Sequence, residues 1–185
     1  MTTEELNGLR TELSIKAKNG IDFTLAASVI WLVFAFLWTL NVNTYYKSIY
    51  VFMASAPLFP LALLFSKILK TNWKIPNNPL QPLGLWLNFA QFFYFPIMFF
   101  AMIKMPECFI LFFAIITGAH LFPYGWFYKT KWYSIISGII VVGSLLLGLN
   151  LSFERMYLVA LFTSASLFIL TSFLYFDSIK KLKTN

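Results

Sequence analysis

The chain has 185 residues, of which 59% are hydrophobic, 20% aromatic and only 11% charged. A soluble domain is nearer half apolar and a quarter charged, and a chain this short cannot hide such an excess in one water-surrounded core. The net charge of +7 is distributed between apolar runs, with no basic domain outside them, so we expect membrane lipid as the surroundings and no nucleic-acid partner.

Residues 1–20 are predicted to form a short amphipathic helix at the membrane interface. Its apolar side chains recur at helical spacing, at Leu6, Leu9, Leu13 and Ala17. Thr2 or Thr3 is placed to cap the helix. Arg10 and Lys16 suit an anionic membrane surface.

Six apolar runs follow, each long enough to cross a hydrocarbon layer of about 30 Å. They cover residues 21–40, 46–69, 83–103, 107–127, 132–149 and 156–176. Residues 177–185 are predicted to form a basic cytoplasmic tail. The sequence therefore predicts an all-α fold, a polytopic membrane protein in which six transmembrane helices form a bundle behind the N-terminal interfacial helix.

The basic residues predict the orientation. Three of the 14 lie in or next to the connections on one side, at Lys47, Lys104 and Arg155. The other eleven lie on the opposite side, before the first span, after the last span, or in or next to the two connections there. By the positive-inside rule, both termini are expected in the cytoplasm. The host membrane is then a bacterial inner or plasma membrane.

His120, the only histidine, lies within the fourth predicted span. An ionisable group at membrane depth indicates a functional site. Thr117, His120 and Tyr124 fall on one helix face at spacings of three and four residues. Pro123 cannot donate to the carbonyl of Ala119, which leaves a free acceptor beside the histidine.

Asn88 and Gln91 share one face of the third span, at a depth that matches His120, and Asp22 begins the first span on the same side. A contact between the third and fourth spans would satisfy these groups together. The residues predicted to bind a ligand are Asn88, Gln91, Thr117, His120, Tyr124 and Asp22. Two alternatives stay open at this point: the amides and the histidine join helices as structural hydrogen bonds, and Asp22 is an N-cap.

The sequence contains few residues that could bind a metal or a cofactor or act in catalysis. One histidine and one cysteine, Cys108, cannot build a zinc or bis-histidine haem site, and no phosphate-binding loop or nucleophile elbow is present. We expect no cofactor, no metal and no assigned catalytic residue. Only His120 and a distant Asp22 are at hand as acid and base, so the sequence favours a protein that is not an enzyme while leaving activity open.

Two stretches carry a resemblance. Gly118–Tyr128, together with Lys18–Phe23 and Trp31, resembles a family of small bacterial integral membrane proteins of unknown function, over most of the chain. That resemblance implies no activity. In size and span number the chain is also similar to the substrate-binding subunits of bacterial vitamin transporters, although Ala26, Ala27 and Ala35 do not reproduce the Ala-x-x-x-Ala motif on their first span.

These observations predict a multi-pass membrane protein that binds or transports a small, largely apolar or aromatic molecule in the cytoplasmic half of the bundle. One alternative is a non-enzymatic accessory protein that contacts a membrane protein partner through its helices. A second alternative is a lipid-modifying enzyme that uses His120 as a base.

Overall fold

The structure, a computed structural model, describes residues 1–184. It is 85% helical, and the described residues form no strand. The described part of the chain contains nine successive α-helices, with short 3₁₀ turns at several junctions. They are α1 (Thr3–Lys16), α2 (Ile21–Thr39), α3 (Thr44–Ala54), α4 (Leu58–Leu69), α5 (Gln81–Phe89), α6 (Phe95–Lys104), α7 (Phe109–Phe127), α8 (Lys131–Asn150) and α9 (Tyr157–Thr184).

Six helical stretches within residues 1–184 are long and apolar enough to cross a membrane. They cover Lys18–Thr39, Thr44–Leu69, Gln81–Lys104, Pro106–Phe127, Lys131–Asn150 and Phe153–Lys183. The predicted all-α, six-span fold is confirmed, and the chain is a multi-pass membrane protein. The last helix continues well past residue 176, so most of the predicted basic tail extends α9.

The second and third spans are broken helices. Between α3 and α4, Pro57 supplies no N–H, and the chain turns through short-range bonds such as Leu58 N to Ser55 O at 3.1 Å. Between α5 and α6, residues Ala90–Tyr94 form a 3₁₀ turn. Pro96 leaves the carbonyl of Phe92 without its usual donor, and the N–H of Phe95 takes that place.

The core lies between the first span and the last three. Trp31 and Phe34 of α2 meet Phe113 of α7, with ring centroids 5.5 and 5.4 Å apart. Buried residues make up 56% of the first span and 44% of the sixth, but only 17% of the second and third. The broken spans therefore form an outer layer, which packs on the core through one side only.

Helices α2 and α9 pack closely because small polar residues face each other. The Ser164 hydroxyl donates to the backbone carbonyl of Ser28 at 2.7 Å. The Thr171 hydroxyl donates to the side-chain hydroxyl of Thr24 at 2.9 Å. Small side chains allow two backbones to approach, and hydroxyl groups then bridge them without unsatisfied partners. The first and last spans are therefore held by both packing and hydrogen bonds.

A left-handed turn joins α1 to α2. Lys18–Gly20 all have positive φ, at 46°, 57° and 71° in turn, a conformation that costs most residues energy. Asn19, fully buried, stabilises the turn. Its side-chain amide donates to Asp177 at 3.0 Å, its side-chain oxygen accepts from Ser14 at 2.5 Å, and its carbonyl accepts from the Tyr133 hydroxyl at 2.8 Å.

Lys181 completes this polar cluster from α9. Its ammonium pairs with Asp177 at 2.7 Å and donates to the Ser14 hydroxyl at 2.8 Å. It also donates to the backbone carbonyls of Tyr128 and Lys129 at 3.1 and 3.0 Å. We call the cluster the terminal-face network; its members are Ser14, Asn19, Tyr133, Asp177 and Lys181.

The terminal-face network brings α1, the start of α2, the α7–α8 connection and the end of α9 to one end of the bundle, which we call the terminal face. Both termini therefore lie at the same end. The N-terminal helix packs there as well: Leu13 is 2% exposed, and the Arg10 side chain donates to the Trp126 carbonyl at 2.7 Å. Thr2 caps α1, paired with Glu5 in a capping box, as predicted. Which side of the membrane the terminal face occupies stays a prediction.

Replacing Asn19 with alanine should destabilise the protein by about 2 kcal/mol or more, because Ser14 and Asp177 lose a buried partner and alanine is strained at positive φ. The measurement is unfolding in detergent, by heat or denaturant. Asn150→Ala serves as the control, since its exposed amide bonds only to the Leu146 carbonyl of its own helix. Equal stability of the two variants would contradict this account of the turn.

Candidate functional site

His120 lies on α7 and is buried, with 7% of its surface exposed. Its ring meets two tyrosines edge to face, Tyr94 with centroids 6.5 Å apart and Tyr124 at 5.5 Å. Within residues 1–184, neither ring nitrogen forms a hydrogen bond. The imidazole therefore retains its capacity to donate one hydrogen bond and to accept another in apolar surroundings.

The predicted contact between the third and fourth spans is present. The Tyr124 hydroxyl donates to the side-chain oxygen of Asn88 at 2.9 Å. The amide nitrogen of Asn88 donates to the Gly84 carbonyl of its own helix at 3.1 Å. Both ends of the Asn88 side chain are thus engaged, so this residue bridges two helices in the way that membrane proteins commonly use amides.

Two further predicted residues, Gln91 and Thr117, are half-buried. Neither side chain forms a hydrogen bond within the described chain. Gln91 belongs to the same 3₁₀ turn as Tyr94, so it lies close along the chain to a residue that contacts His120. Their predicted role in ligand binding stays a prediction.

Asp22 has partners of its own, away from the other predicted residues. Its carboxylate accepts hydrogen bonds from the Thr71 hydroxyl and the Trp73 indole, both at 2.5 Å, and from the N–H of Phe23 at 3.0 Å. The N-cap position of α2 belongs to Gly20, so the alternative reading of Asp22 as an N-cap is wrong. The carboxylate instead anchors the loop after α4 onto the start of α2.

A cluster of three tyrosines, which the sequence did not reveal, lies between His120 and the terminal face. The rings of Tyr124, Tyr128 and Tyr133 lie 5.7–6.1 Å apart, in stacked or tilted pairs. Burial raises the pKa of the Tyr128 hydroxyl well above the usual range, and its neighbours Tyr124 and Asp22 add to the shift. The Tyr128 hydroxyl therefore stays protonated.

The tyrosine cluster brings together the two stretches that carry the family resemblance, Gly118–Tyr128 and Lys18–Phe23. A Cβ atom on Gly20 would lie 3.1 Å from the Tyr128 hydroxyl and 3.3 Å from that of Tyr133. Glycine thus meets two demands here, a positive φ and room for the hydroxyls. The spacing of Tyr124 and Tyr128 on one helix face was visible in the sequence, but their meeting with residue 20 was not.

The side chains that usually bind metal ions are not grouped in the described part of the chain. Among residues 1–184, no three side chains of His, Cys, Asp or Glu are grouped closely enough to hold a metal ion. Two surface grooves, one over α1 and one between α2, α4 and α9, are lined by residues other than His120. The arrangement around His120 is therefore a neutral, aromatic environment with one imidazole.

Within residues 1–184, six apolar helices, two of them broken, and a buried histidine next to a tyrosine cluster define a small multi-pass α-helical membrane protein. The chain belongs to DUF7010, a family of unknown function, whose model matches residues 6–177. No curated protein and no solved structure matches the chain. The expected membership of a family of unknown function is confirmed, and the family assigns no role to His120.

Tyr124→Phe should loosen the third span from the fourth, because it deletes the hydroxyl that bonds Asn88 and keeps the ring. We expect a loss of about 0.6 kcal/mol and faster hydrogen exchange in α5, measured by mass spectrometry in detergent. Tyr157→Phe is the matched control, since the Tyr157 hydroxyl forms no hydrogen bond within the described residues. Unchanged exchange in α5 would show that this bond does not hold the span.

Proposed function

We propose that the protein binds, and transports, a small and largely apolar or aromatic molecule where the third span meets the fourth, beside His120. The observation that carries this proposal is the histidine itself. It is buried within the fourth apolar span, its nitrogens have no hydrogen-bond partner within residues 1–184, and two tyrosine rings contact it edge to face. A ligand that hydrogen-bonds the imidazole would complete that environment.

The broken third span supports the same location. Backbone that departs from the α-helix at membrane depth is tolerated where it faces protein or a cavity, and transporters often place their sites at such interruptions. Here the interruption, Ala90–Tyr94, includes the tyrosine that contacts His120. Opening or closing of this turn would change access to the imidazole directly.

Loose packing of the outer layer supports entry of a ligand. Helix α5 contains no buried residue, and only 17% of the third span is buried, against 33% of the fourth. Segments with few buried contacts open at low free energy. The third span is therefore suited to move relative to α7, with His120 held on the better packed side.

The side chains near His120 indicate the chemistry of the ligand. The tyrosine rings favour a flat or aromatic molecule through edge-to-face contacts. The imidazole offers one hydrogen bond of either direction, and Gln91 of the adjacent turn offers an amide. A neutral or weakly polar aromatic compound matches this set better than an ion.

Of the two alternatives, the lipid-modifying enzyme loses support. A histidine base needs an orienting acid or a second catalytic group, and the carboxylate of Asp22 bonds Thr71 and Trp73 instead. The accessory protein keeps some support, because Asn88 acts as a bridge between helices. Co-purification of one membrane protein at a fixed ratio would favour that alternative.

The test is to extract small molecules from the protein purified in mild detergent and to identify them by untargeted mass spectrometry. We expect a compound that accompanies the wild type and is lost from His120→Ala and Asn88→Ala, while both variants stay folded. Tyr124→Phe, which breaks the same interhelical bond as Asn88→Ala, separates bridging from binding, and Tyr157→Phe is the neutral control. Identical extracts from all variants, or loss of folding in step with loss of the compound, would contradict the proposal.

A further inference from the structure

A second feature, away from His120, points to another ligand. A groove with a volume of about 220 Å³ runs between α2, α4 and α9, next to the terminal face. Pockets for compact small molecules are usually about 300–1,000 Å³, so this groove is too small for most of them. Its walls include Ile21, Leu25, Leu69, Thr171, Tyr175 and Phe176.

The groove faces the surroundings of the bundle along its α9 wall. Tyr175 is 45% exposed and Phe176 is 67% exposed, whereas Ile21 on the opposite wall is 1% exposed. An apolar channel that is closed on the protein side and open on the other matches an extended hydrocarbon chain. The helix ends nearby place its mouth at the level of lipid headgroups.

Basic residues surround the mouth of the groove. The Lys18 ammonium donates to the carbonyl of Leu69, a groove residue, at 2.7 Å. Lys70 follows immediately and is exposed, and Lys180 lies one turn beyond Phe176 on the same face of α9. Each of the three lysines thus lies next to a residue of the groove, at the ends of the helices, where the headgroup of a lipid chain in the groove would sit.

Two carboxylates of the described residues bear on the charge in this region. Asp177 pairs with Lys181, whereas Asp22 accepts hydrogen bonds from the neutral side chains of Thr71 and Trp73 and keeps its negative charge. Lys18, Lys70 and Lys180 outnumber that one carboxylate, so the mouth of the groove carries a net positive charge. Such clusters attract anionic lipids, with a contribution from each lysine near the surface.

We propose that this groove is a binding site for an anionic phospholipid. One acyl chain lies between α2, α4 and α9, and the phosphate lies among Lys18, Lys70 and Lys180. The lipid fills the gap between the first, second and sixth spans, so it fastens part of the loosely packed outer layer to the core. This site is independent of the one proposed at His120.

The test compares phosphatidylglycerol with phosphatidylcholine on the full-length protein in detergent, by native mass spectrometry and by the rise in unfolding temperature. We expect tighter binding of phosphatidylglycerol. Replacing Lys70 and Lys180 together by glutamine should weaken it by more than about tenfold, at roughly fivefold for each lysine. Lys104→Gln, at the opposite end of the third span, should leave it unchanged.

A second variant tests the groove separately from the charge. Ser172→Trp places an indole in the groove from an exposed position on α9, so it should fold normally and reduce retention of both lipids. Equal affinity for the two lipids, or full phosphatidylglycerol binding by a folded Ser172→Trp variant, would overturn the proposal.

Discussion

The ammonium of Lys181 joins three parts of the molecule, which are α1, the α7–α8 connection and α9. A charged group in such a partly buried position is stable only when its hydrogen bonds and counter-charge are all supplied. Here Asp177 supplies the charge, and Ser14 with two backbone carbonyls supplies the bonds. Asn19 depends on the same carboxylate and the same hydroxyl. Because the members share partners, removal of one leaves others buried without a bond, which makes the terminal face cooperative.

The terminal-face network lies at one end of the bundle, and the spans differ in how deeply they are buried. The first span and the last three form a core with buried rings and hydroxyl bridges, while the second and third spans face mostly outward. The Asn88–Tyr124 bond is one of the polar links from the outer layer to the core. His120 lies at that boundary, between the well-packed α7 and a broken helix. The groove between α2, α4 and α9 lies at another boundary of the same layer.

The sequence predicted the helices well because the length of an apolar run is imposed by the bilayer, whatever the packing. Depth was predictable for the same reason, and the pairing of Asn88 with Tyr124 followed from depth and helix spacing. Depth does not give the order of helices around the bundle, so Asp22 was grouped with residues that it does not contact. From the sequence, Asn19 was assigned only to a turn and Lys181 only to a tail, because their hydrogen-bond partners lie up to 167 residues away in the chain.

The pairing of α2 with α9 also constrains how the protein is made. The bond between Ser28 and Ser164 spans 136 residues, and that between Thr24 and Thr171 spans 147. During translation the first span enters the membrane long before α9 has been synthesised. Until then, the polar face of the first span lacks its final partner. The bundle therefore closes only when the last helix leaves the ribosome and the insertion machinery.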